Sequence, residues 1–223
     1  TAVGSPVAGT GAAISFGNQT TGGTYTVVAT IVGTGCVANM SGSVAVTVNP
    51  LPTAYAVTGG GVYCTGGSGV AVGVANSQTN VNYQLFLGTS PVGSAVAGTT
   101  GSAISFGLQT TTGTYTVVAT NAITGCVNNM TGSVTISVTS LPSMYLVTGG
   151  GSYCIGGSGV AIGLSGSQPG VSYRLYNGTT PVGSAISGTG GILSFGLQTA
   201  AGTYTVVATA TSSCSCNMLG SVV

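Results

Sequence analysis

The sequence predicts an all-β chain of tandem β-sandwich repeats about 90 residues long, on three observations. The first is a recurring segment, Gly-Thr-Tyr-Thr-Val-Val-Ala-Thr, which runs from Gly23 to Thr30, Gly113 to Thr120 and Gly202 to Thr209. Its copies start 90 and 89 positions apart, and a fixed period of that size is the mark of tandem domains. The second is alternation. Within each copy Tyr115, Val117 and Ala119 (or their equivalents) alternate with Thr116, Val118 and Thr120, as in a half-buried strand. The third is punctuation: turn residues recur roughly every 8–12 positions, and no stretch keeps a helical period over two turns.

The repeat divides the 223 residues into the C-terminal half of one unit (1–50), a complete unit (51–140) and a nearly complete one (141–223). Beginning in mid-unit and stopping at Ser221-Val-Val, the chain reads as a window from a longer array. In the leading half unit Thr1 to Ala8 is extended, and Ala12 to Gly17 is a short strand. The Tyr25 strand follows, then a turn through Gly33 and Gly35 to Cys36. Ser43 to Val48 closes the unit, with Val44, Val46 and Val48 on one face. Asn49-Pro-Leu-Pro52 and Thr139-Ser-Leu-Pro142 are the joints. Short and proline-bearing, they hold neighbouring units in a roughly fixed line.

The complete unit opens with a strand over Ala54 to Thr58 and the flexible run Gly59-Gly-Gly61. Cys64 precedes Gly66-Gly-Ser-Gly69, and the next strand points Val70, Val72 and Val74 inward. In Asn82 to Leu87 the inward residues are Tyr83, Leu85 and Leu87, and the outward ones Gln84 and Phe86. Val92 to Ala97, after Pro91, is an edge strand, where proline is tolerated. Ile104 and Phe106, Tyr115 to Ala119, and Val134, Ile136 and Val138 complete two sheets. The last unit repeats the pattern with Tyr145, Cys154, Val160, Ile162, Tyr173, Leu175, Phe195, Tyr204 and Met218. It differs in carrying Arg174 for Gln84, Tyr176 for Phe86, and a Ser213-Cys-Ser-Cys216 turn. The Gly-x-Tyr-x-Val start of the recurring segment is similar to the tyrosine corner of immunoglobulin-type sandwiches, in which the phenol bonds back to upstream backbone.

Charge limits the chemistry. Arg174 is the only charged side chain, and there is no His. General acid–base catalysis needs a group titrating near neutral pH, and a Ser or Cys nucleophile needs an activating base; neither is supplied. Calcium sites need carboxylate oxygens, and nucleic acid needs a basic patch. No apolar run approaches the roughly 18 residues of a membrane-spanning helix. The expectation is therefore no enzyme, no metal, no cofactor and no nucleic-acid partner. A chain with so little charge self-associates readily, because net charge is what keeps proteins apart. Phe86 and Tyr176, outward aromatics, and Arg174 beside them are candidates for surface contact, either against a neighbouring strand array or a sugar.

The repeat assigns four of the six cysteines to two bonds, Cys64 with Cys126 and Cys154 with Cys214, one inside each unit. Each would close a loop of about 60 residues and stabilise its unit by roughly 4 kcal/mol. Such bonds imply an oxidising, extracellular compartment. Cys36 would pair upstream. Cys216 is left over as a free thiol, an inter-subunit bridge, or a replacement for Cys214 in pairing with Cys154.

The run Cys154-Ile-Gly-Gly-Ser-Gly-Val-Ala-Ile-Gly-Leu-Ser165 carries a resemblance, together with Gly170-Val-Ser-Tyr-Arg-Leu-Tyr176, Ser194-Phe-Gly196 and the recurring segment. These resemble the immunoglobulin-like repeats of very large secreted surface proteins of Bacteroidetes-type bacteria, and the joints are of the kind found in those arrays. The resemblance implies a cell-surface adhesin or filament exported by type IX secretion. The chain departs from it in lacking acidic residues. The expected function is a stiff, disulfide-stapled extracellular rod that self-associates or continues as a longer repeat chain. The alternatives are an adhesin module that binds glycans or surfaces, and a spacer for an enzyme.

Overall fold

In the computed structural model, which describes residues 1–223, the chain is all β; no helix is long and apolar enough to cross a membrane. The leading stretch holds four three-residue strands: β1 (Gly23–Tyr25), β2 (Val28–Thr30), β3 (Val37–Asn39) and β4 (Val44–Val46). They form two separate pairs, β1 with β4 and β2 with β3. None of residues 1–50 is buried. The strand expected over Ala12 to Gly17 does not form, and Ile14 and Phe16 are exposed. Its equivalent in the next unit hydrogen-bonds along a strand that has no counterpart within residues 1–50.

Nine strands follow: β5 (Val57–Gly59), β6 (Gly61–Cys64), β7 (Val70–Val74), β8 (Val81–Leu87), β9 (Ser90–Ala97), β10 (Ile104–Gln109), β11 (Gly113–Asn121), β12 (Val127–Asn129) and β13 (Val134–Thr139). One sheet has the order β10-β7-β5; the other runs β6-β13-β11-β8-β9, with β12 also on β11. This is an immunoglobulin-like sandwich, three strands facing a broader sheet with an extra edge strand. The core lies between them. Val72, Val74, Tyr83, Leu85, Tyr115, Val117, Ala119 and Ile136 are each at most 1% exposed. Most inward positions read from the alternation are buried, but Val70, Leu87, Phe106 and Val134 are half-buried and Val138 is exposed. Pro91 sits in β9 at the sheet edge, where its missing N–H costs no ladder bond.

The run Gly59-Gly-Gly61 does more than loosen the chain. All three glycines have positive φ, and a Cβ on Gly59 would stand 2.0 Å from the Ala71 carbonyl oxygen. Only glycine lets the strand bend here, leaving β7 in one sheet and joining β13 in the other. The new partnership is parallel, with Gly61 opposite Ile136 and Cys64 opposite Thr139. A parallel ladder fixes direction, so Cys64 comes to lie where β13 ends and the joint begins.

The second sandwich is built from β14 (Val147–Gly149), β15 (Val160–Leu164), β16 (Val171–Asn177), β17 (Thr180–Ser187), β18 (Leu193–Gln198), β19 (Tyr204–Ala210) and β20 (Ser215–Asn217). Its sheets are β14-β15-β18 and β17-β16-β19-β20. Its core repeats the first position by position: Ile162, Leu164, Tyr173, Leu175, Tyr204, Val206, Ala208 and Met218 are buried. Each recurring segment closes on a tyrosine corner. Tyr115 Oη donates to the Thr111 carbonyl at 2.7 Å, Tyr204 to Ala200 at 2.6 Å and Tyr25 to Thr21 at 2.8 Å.

Candidate functional site at the cysteine-bridged joint

Strand direction gives each sandwich two poles. In the first, β13 runs toward the Ser140-Leu141-Pro142 joint, and β6 runs beside it, so Cys64 belongs to the trailing pole. β11 runs the opposite way, with Gly113 opposite Ile136 and Tyr115 opposite Val134. Its far end, Asn121, receives the turn that carries Cys126: the Asn121 N–H donates to the Cys126 carbonyl at 2.8 Å. That turn is at the leading pole, where the Cys126 thiol points to the Asn49 carbonyl at 3.9 Å. The nine residues of β11 alone separate the poles by roughly 25 Å or more, at about 3.4 Å per residue. A disulfide tolerates about 7 Å between Cα atoms.

The expected pairing of Cys64 with Cys126, and of Cys154 with Cys214, is therefore corrected. Cys64 bonds Cys214, 150 residues away, with Cα atoms 5.6 Å apart. The bond crosses the joint. Cys64 comes from the trailing pole of the first sandwich, and Cys214 from the turn after β19, at the leading pole of the second. Ala210 N–H donates to the Cys214 carbonyl at 2.8 Å, as Asn121 does to Cys126. Cys214 is 1% exposed. Cys126 and Cys154 are free, as are Cys36 and Cys216; Cys36 and Cys154 are exposed.

The rest of the joint is held by polar contacts to backbone. Gln168 Oε1 accepts the Ser143 N–H at 3.1 Å, and the Gln168 N–H in turn donates to the buried Tyr173 hydroxyl at 2.8 Å. At the preceding joint Gln78 does the same for Thr53 and Tyr83, at 2.7 and 3.0 Å. Asn128 Nδ2 donates to the Pro52 carbonyl at 2.8 Å; in its place Cys216 directs its thiol to Pro142 at 3.4 Å. Cys216 is thus an Asn-equivalent held against the joint, in a turn one residue shorter than that of the first sandwich. Burial pushes its thiol pKa up. A cleft of about 250 Å³ opens between the joint (Ser140 to Pro142) and the two turns around Pro169 and Thr211.

The surface candidates lie elsewhere. Phe86 is half-buried on β8 between Thr116 and Pro91 of the flanking strands, and Tyr176 occupies the matching site between Thr205 and Pro181. Gln84 fills the bulge beside them, its Nε2 donating to the carbonyls of Leu85 and Val92 at 2.9 and 3.0 Å. Arg174 replaces it, and its Nε is buried without a hydrogen-bond partner. Sequence reasoning missed Gln78, Gln168 and Asn128. Asn128 could have been found from its place two residues after Cys126, whereas Gln78 and Gln168 lie 25 residues from the backbone groups they bind and no local pattern marks them.

No family model matches the chain, and no curated protein does so either. Among solved structures it is similar to the human OSCAR ligand-binding domain, at 15% identity and a TM-score of 0.32, over 78% of this chain and 100% of that one. It is also similar to a chain of a cytokine receptor complex, at 15% identity and a TM-score of 0.25, over 63% and 79% of the two chains. The immunoglobulin-like assignment stands on strand order and on the tyrosine corners.

Proposed function

We propose that this chain is a structural segment of an extracellular stalk or filament, a rod whose work is to keep its units aligned. One observation carries the reading: the disulfide links two sandwiches across their joint rather than closing either one. A bond inside a unit would raise that unit's stability. A bond between poles instead removes rotation and bending at the joint, and the Gln168 and Cys216 contacts restrict it further. A persistent disulfide fits an oxidising compartment outside the cytosol. The near absence of charge fits dense lateral packing, and the resemblance to repeats of secreted bacterial surface proteins points the same way.

Small-angle scattering of the chain with and without the bond tests this. Cys64→Ser with Cys214→Ser is expected to broaden the distance distribution and raise its flexibility, while circular dichroism keeps its β signature. Identical scattering profiles would remove the rod reading's support. A second reading, adhesion through glycans or surfaces, is favoured by Arg174, whose buried Nε has no partner beside the aromatic Tyr176. It requires binding by the intact chain to some member of a glycan panel, lost in Tyr176→Ala.

A further inference from the structure

The Cys64–Cys214 bond is a template, and the chain carries both halves of it again, unpaired, one in the leading half unit and one in the last unit. Cys154 is the repeat equivalent of Cys64, ninety positions on. Its loop is held in the same way: Gly157 N–H donates to the Cys154 carbonyl at 2.9 Å, matching Gly67 on Cys64 at 2.8 Å. The neighbouring tyrosines match too, Tyr153 donating to the Thr199 carbonyl and Tyr63 to Thr110. Cys36 is the equivalent of Cys126 and so of Cys214. Its turn is shaped like that of Cys126, with Ile31 N–H on the Cys36 carbonyl at 2.9 Å and Gly35 N–H on Ile31 at 2.8 Å. The flanking register is shared as well: Thr30 faces Val37 as Thr120 faces Val127.

We infer that Cys154 of one copy bonds Cys36 of a second, joining copies of this chain trailing pole to leading pole in the manner of the internal joint. This deepens the stalk reading and rests on it. Three things select this pair. Cys36 and Cys154 are the two exposed free thiols, whereas Cys126 and Cys216 are partly covered and turned toward the Asn49 and Pro142 carbonyls. One belongs to a leading-pole turn and the other to Gly151–Cys154, the stretch that corresponds to β6 but forms no strand here, so the two stand for the halves already bonded at the internal joint. And neither pole carries a charged side chain to oppose the approach, since Arg174 lies within β16. The contact is heterologous, so it propagates as an open line rather than closing on itself.

The chemistry is thiol–disulfide exchange with a small-molecule disulfide such as oxidised glutathione. The Cys154 thiolate attacks one sulfur of the small disulfide, releasing a small thiolate and leaving a mixed disulfide. The Cys36 thiolate of the second copy then attacks the Cys154 sulfur, releasing the second small thiolate. The protein gives up two electrons and two thiol protons, and the reagent becomes two small thiols.

The test uses the full chain in a Cys126→Ser, Cys216→Ser background, incubated with a glutathione redox buffer and run on non-reducing gels. With Cys36 and Cys154 both present, the expected result is a ladder at multiples of 21.2 kDa that collapses on reduction. Cys36→Ser alone and Cys154→Ser alone are expected to stay monomeric, and their mixture to give a covalent dimer and nothing larger. A parent without a ladder, a single variant that forms a covalent dimer, or a mixture that stays monomeric overturns the inference. Scattering by the monomer reports on the internal joint alone, so the inference can fail while the rod reading stands.

Discussion

The sulfur of Met130 accepts the backbone N–H of Tyr55 at 3.4 Å, and Met218 does the same for Tyr145 at the same distance. A methionine placed four residues after a cysteine is therefore both a core plug and an acceptor that ties the incoming strand to the β12 side of the sandwich. Both side chains are 5% exposed.

Met130→Ala should destabilise the first sandwich by about 2–4 kcal/mol, through lost burial and a cavity. Met130→Leu keeps the volume and removes the acceptor, and should cost about 1 kcal/mol. Urea unfolding followed by tyrosine fluorescence measures both. A Met130→Leu variant as stable as the parent would show that the sulfur contact contributes nothing.

Tyr115→Phe isolates the tyrosine corner. Tyr115 is 1% exposed and its hydroxyl serves a single carbonyl, Thr111. Removing the donor should cost about 1–2 kcal/mol, the range for a partly buried carbonyl left unpaired. Tyr25→Phe, in a stretch with no buried residue, should leave unfolding of both sandwiches unchanged.

Stability should stay flat between about pH 3 and 9, apart from small effects of the free thiols, because no side chain of ordinary pKa titrates there. Above that range it should fall. Burial raises the phenol pKa of Tyr83 and Tyr173 above the ordinary 10.0, against the opposing pull of the Gln78 and Gln168 N–H groups on the phenol oxygens. Near and above pH 10 the unfolded chain thus binds fewer protons than the folded one, so the slope of stability with pH is negative. The stabilisation is complete below the unfolded pKa and lost as pH climbs through the folded one. Urea midpoints across pH 3–11 check this, and a steep acid transition would contradict it.

Thiol reactivity should sort by place in the fold. In native, non-reducing conditions at pH 8, iodoacetamide is expected to label the exposed Cys36 and Cys154 first. Cys216 should react last of the free thiols, since burial keeps it protonated and the thiolate is the nucleophile. Cys64 and Cys214 should resist until reduced. Mass spectrometry of timed samples gives the order.

The sandwich was legible because its signals are local. Alternation along Val81–Leu87 and Gly113–Asn121 names the buried residues, and Gly-x-Tyr-x-Val names the corner bond. Disulfide connectivity is not local. It depends on which end of the sandwich each cysteine reaches, and that is set by the sheet switch at Gly59-Gly-Gly61 and the parallel partnership of β6 with β13. A reading that treats the glycines as a loose loop leaves Cys64 free to fold back on Cys126. One that treats them as a sheet switch places it at the joint. The glutamines that brace the joints were missed for a related reason: each binds a backbone N–H 25 residues earlier in its own unit, just past the joint, a separation that no local pattern marks.

The covalent link from Cys64 to Cys214 also decides how the chain would respond to being stretched. Tension applied at its two termini would pass through the sulfur bridge and skip the 150-residue span between those cysteines. At roughly 3.3–3.6 Å per residue, about 500 Å of contour length would stay locked away until the bridge is reduced.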